Sequence, residues 1–252
     1  GWAVSRSVKT EEDYLLAGRK LGPVLTTFTV FATWFGAESV IGSSGAVYEG
    51  GVAAGTADPF GFGLCLILMG AVYAAPLWRR KLTTLADLFR IRYSKTVERI
   101  AILFMVPSTM MWAAAQIRAF GQVLSSSTGF DIDLAIIAAG CIVVAYTVLG
   151  GLLAVAATDF LQGMVLITGL FVLLIVMLFQ EPRFAEAWAS IDPSRFSFRQ
   201  PDSSGWLESL NTWLVPICAS VVAQELVARV IAARSPSVAG RGALAGGAMY
   251  IL

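Results

Sequence analysis

The sequence contains no histidine, and only 14% of its residues are charged. Histidine is the commonest general base and metal ligand near neutral pH, so the usual acid–base and metal chemistry lacks its main residue. Cys65, Cys141 and Cys218 lie in apolar segments without a CxxC spacing, which favours packing roles over disulfides, ligands or nucleophiles. There is also no P-loop and no nucleic-acid-binding module. We therefore expect neither an enzyme nor a nucleic-acid partner.

Apolar residues are abundant instead: they make up 57% of the chain, and the mean hydropathy is +0.73. A soluble domain usually carries about a quarter charged residues, and a helix needs roughly 20 apolar residues to cross a bilayer. We predict an all-α, polytopic membrane bundle. Its seven predicted spans are residues 23–48, 59–78, 97–125, 132–150, 153–179, 207–231 and 240–252. A polar loop at 180–206 separates the fifth span from the sixth, and residues 183–190 within it predict a short interfacial helix.

Lysine and arginine are concentrated in alternate connections between the predicted spans. Segments 5–22, 79–99 and 229–241 hold 14 of the 18 basic residues, whereas 49–58 and 126–131 hold none. Short loops rich in Lys and Arg stay in the cytoplasm. The pattern therefore predicts a multi-pass protein of the cell (inner) membrane with its basic loops cytoplasmic and its first span running outward.

The first span contains features that a purely lipid-embedded helix would avoid. Residues 24–51 carry Glu38, four threonines, three serines and three internal glycines. Buried polar groups are costly in hydrocarbon, but broken polar helices occur where unwound backbone lines the cavity of a carrier. We predict a break near residues 34–37 and a role in transport.

Four segments carry a resemblance to a known family. They are EEDYLLAGRKLG at 11–22, GSSGAVYEGG at 42–51, AYTVLGGLLAVAATDFLQG at 145–163 and VARVIAARSPSVAGRGAL at 227–244. In order and spacing they resemble the sodium:solute symporter family, which implies the leucine-transporter-like fold of five-plus-five inverted repeats. Residues 1–22 would then be the end of an extra helix and a cytoplasmic loop, 23–179 the complete first repeat, 180–206 an extracytoplasmic loop and 207–252 the start of a truncated second repeat. Such a chain is not expected to transport alone.

The resemblance also implies a sodium site. The backbone carbonyls of Ala32 and Phe35 at the break would be the metal ligands from this half of the fold, with ordinary helix packing as the alternative. Asp159 would lie on the inward path of the ion. An N-terminal helix cap is a compatible interpretation of Asp159, because Thr158–Asp159 precedes an apolar run.

Solute-binding positions follow from the same resemblance. The positions would fall near Ser39, Asp58, Trp112, Pro216, Ala219 and Tyr250. The last three lack the polar side chains of sugar-transporting members, which disfavours a sugar. Asp58 directly precedes Pro59, so a cap of the second helix is the alternative for that residue. FATW at 31–34, PFGFGL at 59–64, MWAAA at 111–115 and YTVLGGL at 146–152 are similar to the choline-transporter branch.

Within that branch, Trp34, Phe62 and Trp112 would form an aromatic box for a quaternary ammonium, since aromatic faces attract cations. Ala223 stands where the branch has another tryptophan, so the box is incomplete. Ordinary core or lipid-facing packing is the alternative for these rings. Glu38 and Arg118, the remaining charges within spans, either reach the water at helix ends or pair as a gate.

The leading hypothesis is a sodium-coupled secondary active symporter that imports a small organic solute by alternating access. The partners implied are a quaternary amine, an amino acid or a carboxylate, together with the lipid bilayer. Sodium is the coupling ion, and no other cofactor is expected. The alternative is a symporter-like membrane input domain of a sensor protein.

Overall fold

The computed structural model describes residues 9–36, 38–180, 184–198 and 206–252. Apart from one isolated bridge between Leu21 and Ala233, the described part has helices as its only regular structure. The α-helices are α1 (Glu11–Leu16), α2 (Pro23–Trp34), α3 (Ser44–Gly50), α4 (Phe62–Leu68), α5 (Ala74–Arg79), α6 (Leu85–Arg92), α7 (Lys95–Thr128), α8 (Ile132–Gln180), α9 (Phe184–Ala189), α10 (Trp206–Leu214), α11 (Gln224–Ile231) and α12 (Pro236–Ile251). Wider π-helical turns at Glu38–Ser43, Thr56–Gly61, Met69–Tyr73 and Val215–Ala219 interrupt several of them.

The first predicted span is broken where the sequence indicates. Helix α2 starts at Pro23, whose missing N–H costs nothing in a first turn. It ends at Trp34 because Phe35 takes an extended conformation, with φ −80° and ψ 99°. The chain turns helical again at Glu38, and the segment Ser39–Gly50 is bent by 59° from Pro23–Trp34.

A second break was not predicted. The sixth predicted span, 207–231, consists of two helical parts, Leu210–Ala219 and Gln224–Ile231, which are bent by 49° from each other. Ala223 is extended, with φ −64° and ψ 138°, between the two parts. Pro216, which lacks an N–H, lies in the wide turn that precedes this break and loosens the regular ladder there.

Helix α8 contains a sharp internal kink at Gly151. Its φ of 56° is left-handed, and a Cβ there would lie 2.5 Å from the carbonyl oxygen of Tyr14. Only glycine suits both conditions. The kink separates 132–150 from 152–180, which matches the boundary predicted between the fourth and fifth spans.

Within the described residues, three helices are long and apolar enough to cross a membrane, and up to five spans result if each bent pair counts as one. The three are Val52–Arg79, Lys95–Thr128 and Gly150–Phe179. The fourth predicted span is helical over Ile132–Ala145 and the seventh falls on the helix Pro236–Ile251, and both helices are shorter than these three. In the connection between the fifth and sixth spans, α9 is the expected short helix, with Phe184 and Trp188 stacked at 6.2 Å between ring centroids.

Small residues allow α2 and α12 to pack closely. A Cβ on Gly242 would lie 2.6 Å from Thr26 Cγ2, and one on Gly246 would lie 3.0 Å from the carbonyl oxygen of Thr27. Close backbone contact of this kind is how helices associate in lipid, where the hydrophobic effect does not hold them together. The core around this contact contains Val30, Phe31, Leu66, Met69, Val227, Ile231 and Ala243.

Three of the basic segments meet on one face of the bundle. Arg19 donates to the carbonyl oxygens of Leu82 at 2.8 Å and Ile231 at 3.2 Å, and Trp78 Nε1 donates to the carbonyl oxygen of Ala233 at 2.6 Å. Segments 9–22, 78–82 and 231–234 are therefore in contact. We call this side the basic face.

Candidate functional site

Within the described residues, the break in α2 leaves the carbonyl oxygens of Ala32 and Phe35 without helical partners. Phe35 is extended, and no N–H within the described part of the chain bonds to the carbonyl oxygen of Ala32 or Phe35. Hard cations such as sodium take oxygen ligands, and carbonyls released by an unwound turn suit them. Ala32 thus lies in the last turn of α2 and Phe35 at the break itself, and their role as sodium ligands remains a prediction.

Asp159 lies beside α2, nearer the basic face than the break. The Thr29 hydroxyl donates to Asp159 Oδ2 at 2.5 Å. Thr29 precedes Ala32 by three residues, which is about 4.5 Å along a helix. The alternative of an N-terminal cap is wrong, because the second part of α8 starts directly after Gly151 and Asp159 is already within it.

Three aromatic rings meet next to the break. Trp34 and Phe62 stack at 5.2 Å between centroids with an interplanar angle of 8°. Trp112 meets Trp34 edge-on at 6.1 Å and 75°. The rings predicted as a box are therefore together, but one face of Trp34 is covered by Phe62. The Trp34 Nε1 atom is buried and has no hydrogen-bond partner in the described structure.

Ser39, Asp58 and Tyr250 form a hydrogen-bond network on the other side of Trp34. Tyr250 donates to Asp58 Oδ1 at 2.7 Å, and its hydroxyl lies 2.9 Å from Ser39 Oγ. Ser39 donates in turn to the Trp34 carbonyl oxygen at 3.0 Å. The network connects the α2 break, the turn that precedes α4 and the end of α12.

A cavity of about 300 Å³ lies between the two helix breaks and α7. It extends from Trp34 and Trp112 to Leu85 at the start of α6. Its other lining residues are Met105, Ser108, Thr109, Ala219, Ser220, Val222, Ala223, Gln224 and Glu225. Its volume suits a small organic molecule rather than a polymer.

The structure divides the predicted solute-binding residues between these places. Trp34, Trp112 and Ala219 line the cavity, and Phe62 supports Trp34 from behind. Ser39, Asp58 and Tyr250 are in the separate network described above. Pro216 is not part of the cavity lining and packs against Gly61 at the start of the second predicted span. A Cβ on Gly61 would lie 2.7 Å from Pro216 Cγ. The Glu38 side chain lies outside the described part of the structure, so its proposed pairing with Arg118 remains a prediction.

Two polar residues at the second break, Gln224 and Glu225, were not predicted from the sequence. Glu225 accepts a hydrogen bond from Thr109 Oγ1 at 2.9 Å, and Gln224 Oε1 accepts one from the Leu85 N–H at 2.8 Å. The signal was the adjacent polar pair Gln224–Glu225 inside an otherwise apolar stretch. Such a pair within a span indicates a wet cavity or a helix break.

Two broken helices that border one cavity, in a chain with helices of membrane-spanning length, are the arrangement in which secondary transporters place their substrate and ion sites. The profile described as "Sodium:solute symporter family" matches residues 14–252. The chain belongs to this family, as its motifs indicate.

Several relatives are transporters of named solutes. The chain is 35% identical over 164 residues to "High-affinity choline transporter 1" of Caenorhabditis elegans, which is 64% of this chain and 28% of that protein. It is 29% identical over 205 residues to the protein of the same name from Drosophila melanogaster, 81% of this chain and 32% of the relative. "Sodium-coupled monocarboxylate transporter 1" of Xenopus laevis is 27% identical over 161 residues, 64% of this chain and 26% of that protein. The chain spans about a third or less of the length of these relatives.

The fold has a solved counterpart. A Na⁺-coupled sialic acid symporter in a substrate-bound outward-open state superposes with a TM-score of 0.78 at 19% identity. The match covers all of this chain and 54% of the symporter. The leucine-transporter-like fold expected from the sequence is confirmed.

Proposed function

We propose that this chain is the substrate- and sodium-binding half of a sodium-coupled symporter that imports a small organic solute. The observation that supports this proposal most directly is the unwound turn at Phe35, where no described N–H bonds to the carbonyl oxygens of Ala32 and Phe35. Membership of the family supports sodium as the coupling ion. Asp159, held by Thr29 on the basic side of the break, is the residue through which the ion leaves toward the cytoplasm.

Alternating access follows from this arrangement. Sodium at the break stabilises a state in which the solute cavity is formed, and movement of the bundle then exposes both sites to the other side. Because coupling is reciprocal, sodium and solute tighten each other's binding by the same factor. The cavity that contains Trp34 and Trp112 is the solute site, and the network of Ser39, Asp58 and Tyr250 holds the outer part of the first span against α12.

Uptake into proteoliposomes tests the proposal. The complete protein is reconstituted, and uptake of labelled choline, ethanolamine, alanine and lactate is compared under inward gradients of sodium, potassium or protons. Uptake that is driven by sodium alone is expected. Uptake driven by protons would contradict sodium coupling, and sodium-dependent binding without uptake would favour the sensor alternative.

A further inference from the structure

The charged side chains in the described lining of the solute cavity are of one sign. Its described lining includes one carboxylate, Glu225, and neither a lysine nor an arginine. A carboxylate solute in this cavity would meet a like charge without a compensating cation, which is costly away from bulk water. A cationic solute would meet an opposite charge.

Glu225 is held in place by a hydroxyl group and not by a cationic side chain. Thr109 on α7 donates to Glu225 Oε1, which fixes the carboxylate against the far wall of the cavity. Arg229, one helical turn along α11, donates to the backbone oxygen of Glu225 instead. The ion pairs within the described part of the chain are Arg19–Glu12, Arg90–Asp87 and Arg90–Glu98, so Glu225 has no cationic partner there.

The aromatic rings at one end of the cavity are less suited than Glu225 to bind a cation by themselves. Phe62 covers one face of Trp34, and Ala223 contributes only a methyl group to the lining. A quaternary ammonium depends on several open aromatic faces. A protonated amine has N–H groups, and these form charge-assisted hydrogen bonds with a carboxylate.

We propose that the solute is a small protonated amine: Glu225 accepts its N–H groups, and its apolar part lies against Trp34 and Trp112. This rests on the proposed function, because it assigns the substrate class of the same cavity. Hydroxyl oxygens of Ser108 and Ser220 in the lining are available as further acceptors.

The start of α11, which also borders the cavity, is a feature that favours an anionic solute instead. Helix N-termini attract anions, and Ala223 provides no side-chain cap there. Glu225 occupies the first turn of that helix, so its own negative charge already complements the helix dipole. A monocarboxylate at this point would have to approach the Glu225 carboxylate.

Thermal unfolding of the purified complete protein tests this inference directly. The ligands are ethanolamine, choline and lactate, each titrated in sodium chloride and in potassium chloride. Ethanolamine and choline are a matched pair, since they differ only in the three N-methyl groups. The variants are Glu225→Gln, which keeps an oxygen for Thr109, and Glu186→Gln, which changes an exposed glutamate on α9 away from the cavity.

In sodium, ethanolamine should raise the unfolding temperature at concentrations at least tenfold lower than choline, and lactate should have no effect. Glu225→Gln should raise the half-effect concentration of ethanolamine at least tenfold, with stabilisation by sodium itself unchanged. Glu186→Gln should behave as wild type. Thr109→Val, which keeps the carboxylate but frees it, should give a smaller loss in the same direction.

Three results would overturn the inference: no response of the wild type to ethanolamine, stronger protection by lactate, or an unchanged response in Glu225→Gln. Equal half-effect concentrations for choline and ethanolamine would also count against it, because N–H donors would then contribute nothing. If sodium gave no more stabilisation than potassium while ethanolamine still protected, the proposed sodium coupling would fail and the amine site would remain.

Discussion

The Tyr250 hydroxyl donates a hydrogen bond to the Asp58 carboxylate at 2.7 Å, across 192 residues of sequence. The contact joins the end of α12 to the turn that precedes α4. Through Ser39 it reaches the Trp34 carbonyl oxygen at the α2 break. The residues on both sides of the broken helix are thus connected by side chains from two other elements.

Removal of the Tyr250 hydroxyl should loosen this connection. We expect Tyr250→Phe to lower the free energy of unfolding by about 1 kcal/mol, the size of a hydrogen bond between membrane helices. Faster hydrogen exchange should appear in 38–43 and 56–61, measured by mass spectrometry. Tyr73→Phe is the control, because this tyrosine is exposed. Equal exchange in the two variants would show that the network does not stabilise the break.

Asp159 offers a test of the sodium path. Asp159→Asn removes the negative charge but keeps an oxygen for Thr29. We expect the sodium concentration for half-maximal thermal stabilisation to rise at least tenfold, because a carboxylate near the path concentrates the cation. Thr29→Val should act in the same direction but less.

Asp133→Asn is the matched control, since Asp133 is exposed at the start of α8. An equal shift in both variants would indicate a general surface-charge effect. An unchanged sodium response in Asp159→Asn would remove this residue from the path.

The first break could be predicted because it has a direct cause in the local sequence. Polar residues and glycines are dense around residues 34–45, and no spanning helix tolerates this without a function. The kink at Gly151 was likewise marked by paired glycines between two apolar runs. The second break has a weaker local signal, since Pro216 and the pair Gln224–Glu225 are separated by seven ordinary residues.

The candidate site could be predicted only in part, for a similar reason. The resemblance named residues on single helices, but contacts between distant helices decide which of them share a cavity. Trp34 and Trp112 meet because α7 crosses the break, whereas Tyr250 turns toward Asp58. The division of the chain into repeats and the cytoplasmic location of the basic face remain predictions.

Acidic pH should loosen the start of α1. The hydrogen bond with the Thr10 side chain, then the Lys9 N–H, lowers the pKa of Asp13 below its usual value of 3.8. A lowered pKa means that the ionised carboxylate stabilises the fold above the usual value and that this contribution is lost as the pH falls below 3.8, through the folded-state pKa.

The measurement is hydrogen exchange of residues 10–16, corrected for intrinsic rates, at pH values above and below 3.8. Wild type should lose protection as the pH falls. Asp13→Asn should lack this dependence, because the amide does not titrate. A similar pH profile in both proteins would show that another group controls the cap.

Gly151→Ala should be the most damaging small substitution in α8. Alanine would have to adopt φ 56°, and its Cβ would lie 2.5 Å from the Tyr14 carbonyl oxygen. Strain of about 1–3 kcal/mol from the backbone alone is expected, and the steric contact adds to it. Gly169→Ala is the matched control in the same helix, since nothing lies within 4 Å of the added atom.

Thermal unfolding of both variants in the same detergent separates the strain and clash at residue 151 from the general effect of replacing a helical glycine with alanine. Gly169→Ala should be neutral or slightly stabilising, because alanine favours a helix over glycine by about 1 kcal/mol. Gly151→Ala should lower the unfolding temperature and also increase exchange in α1, because the clash is with Tyr14. If Gly151→Ala unfolded like its control, residue 151 would have to be helical, and 132–180 would be one continuous helix rather than two spans.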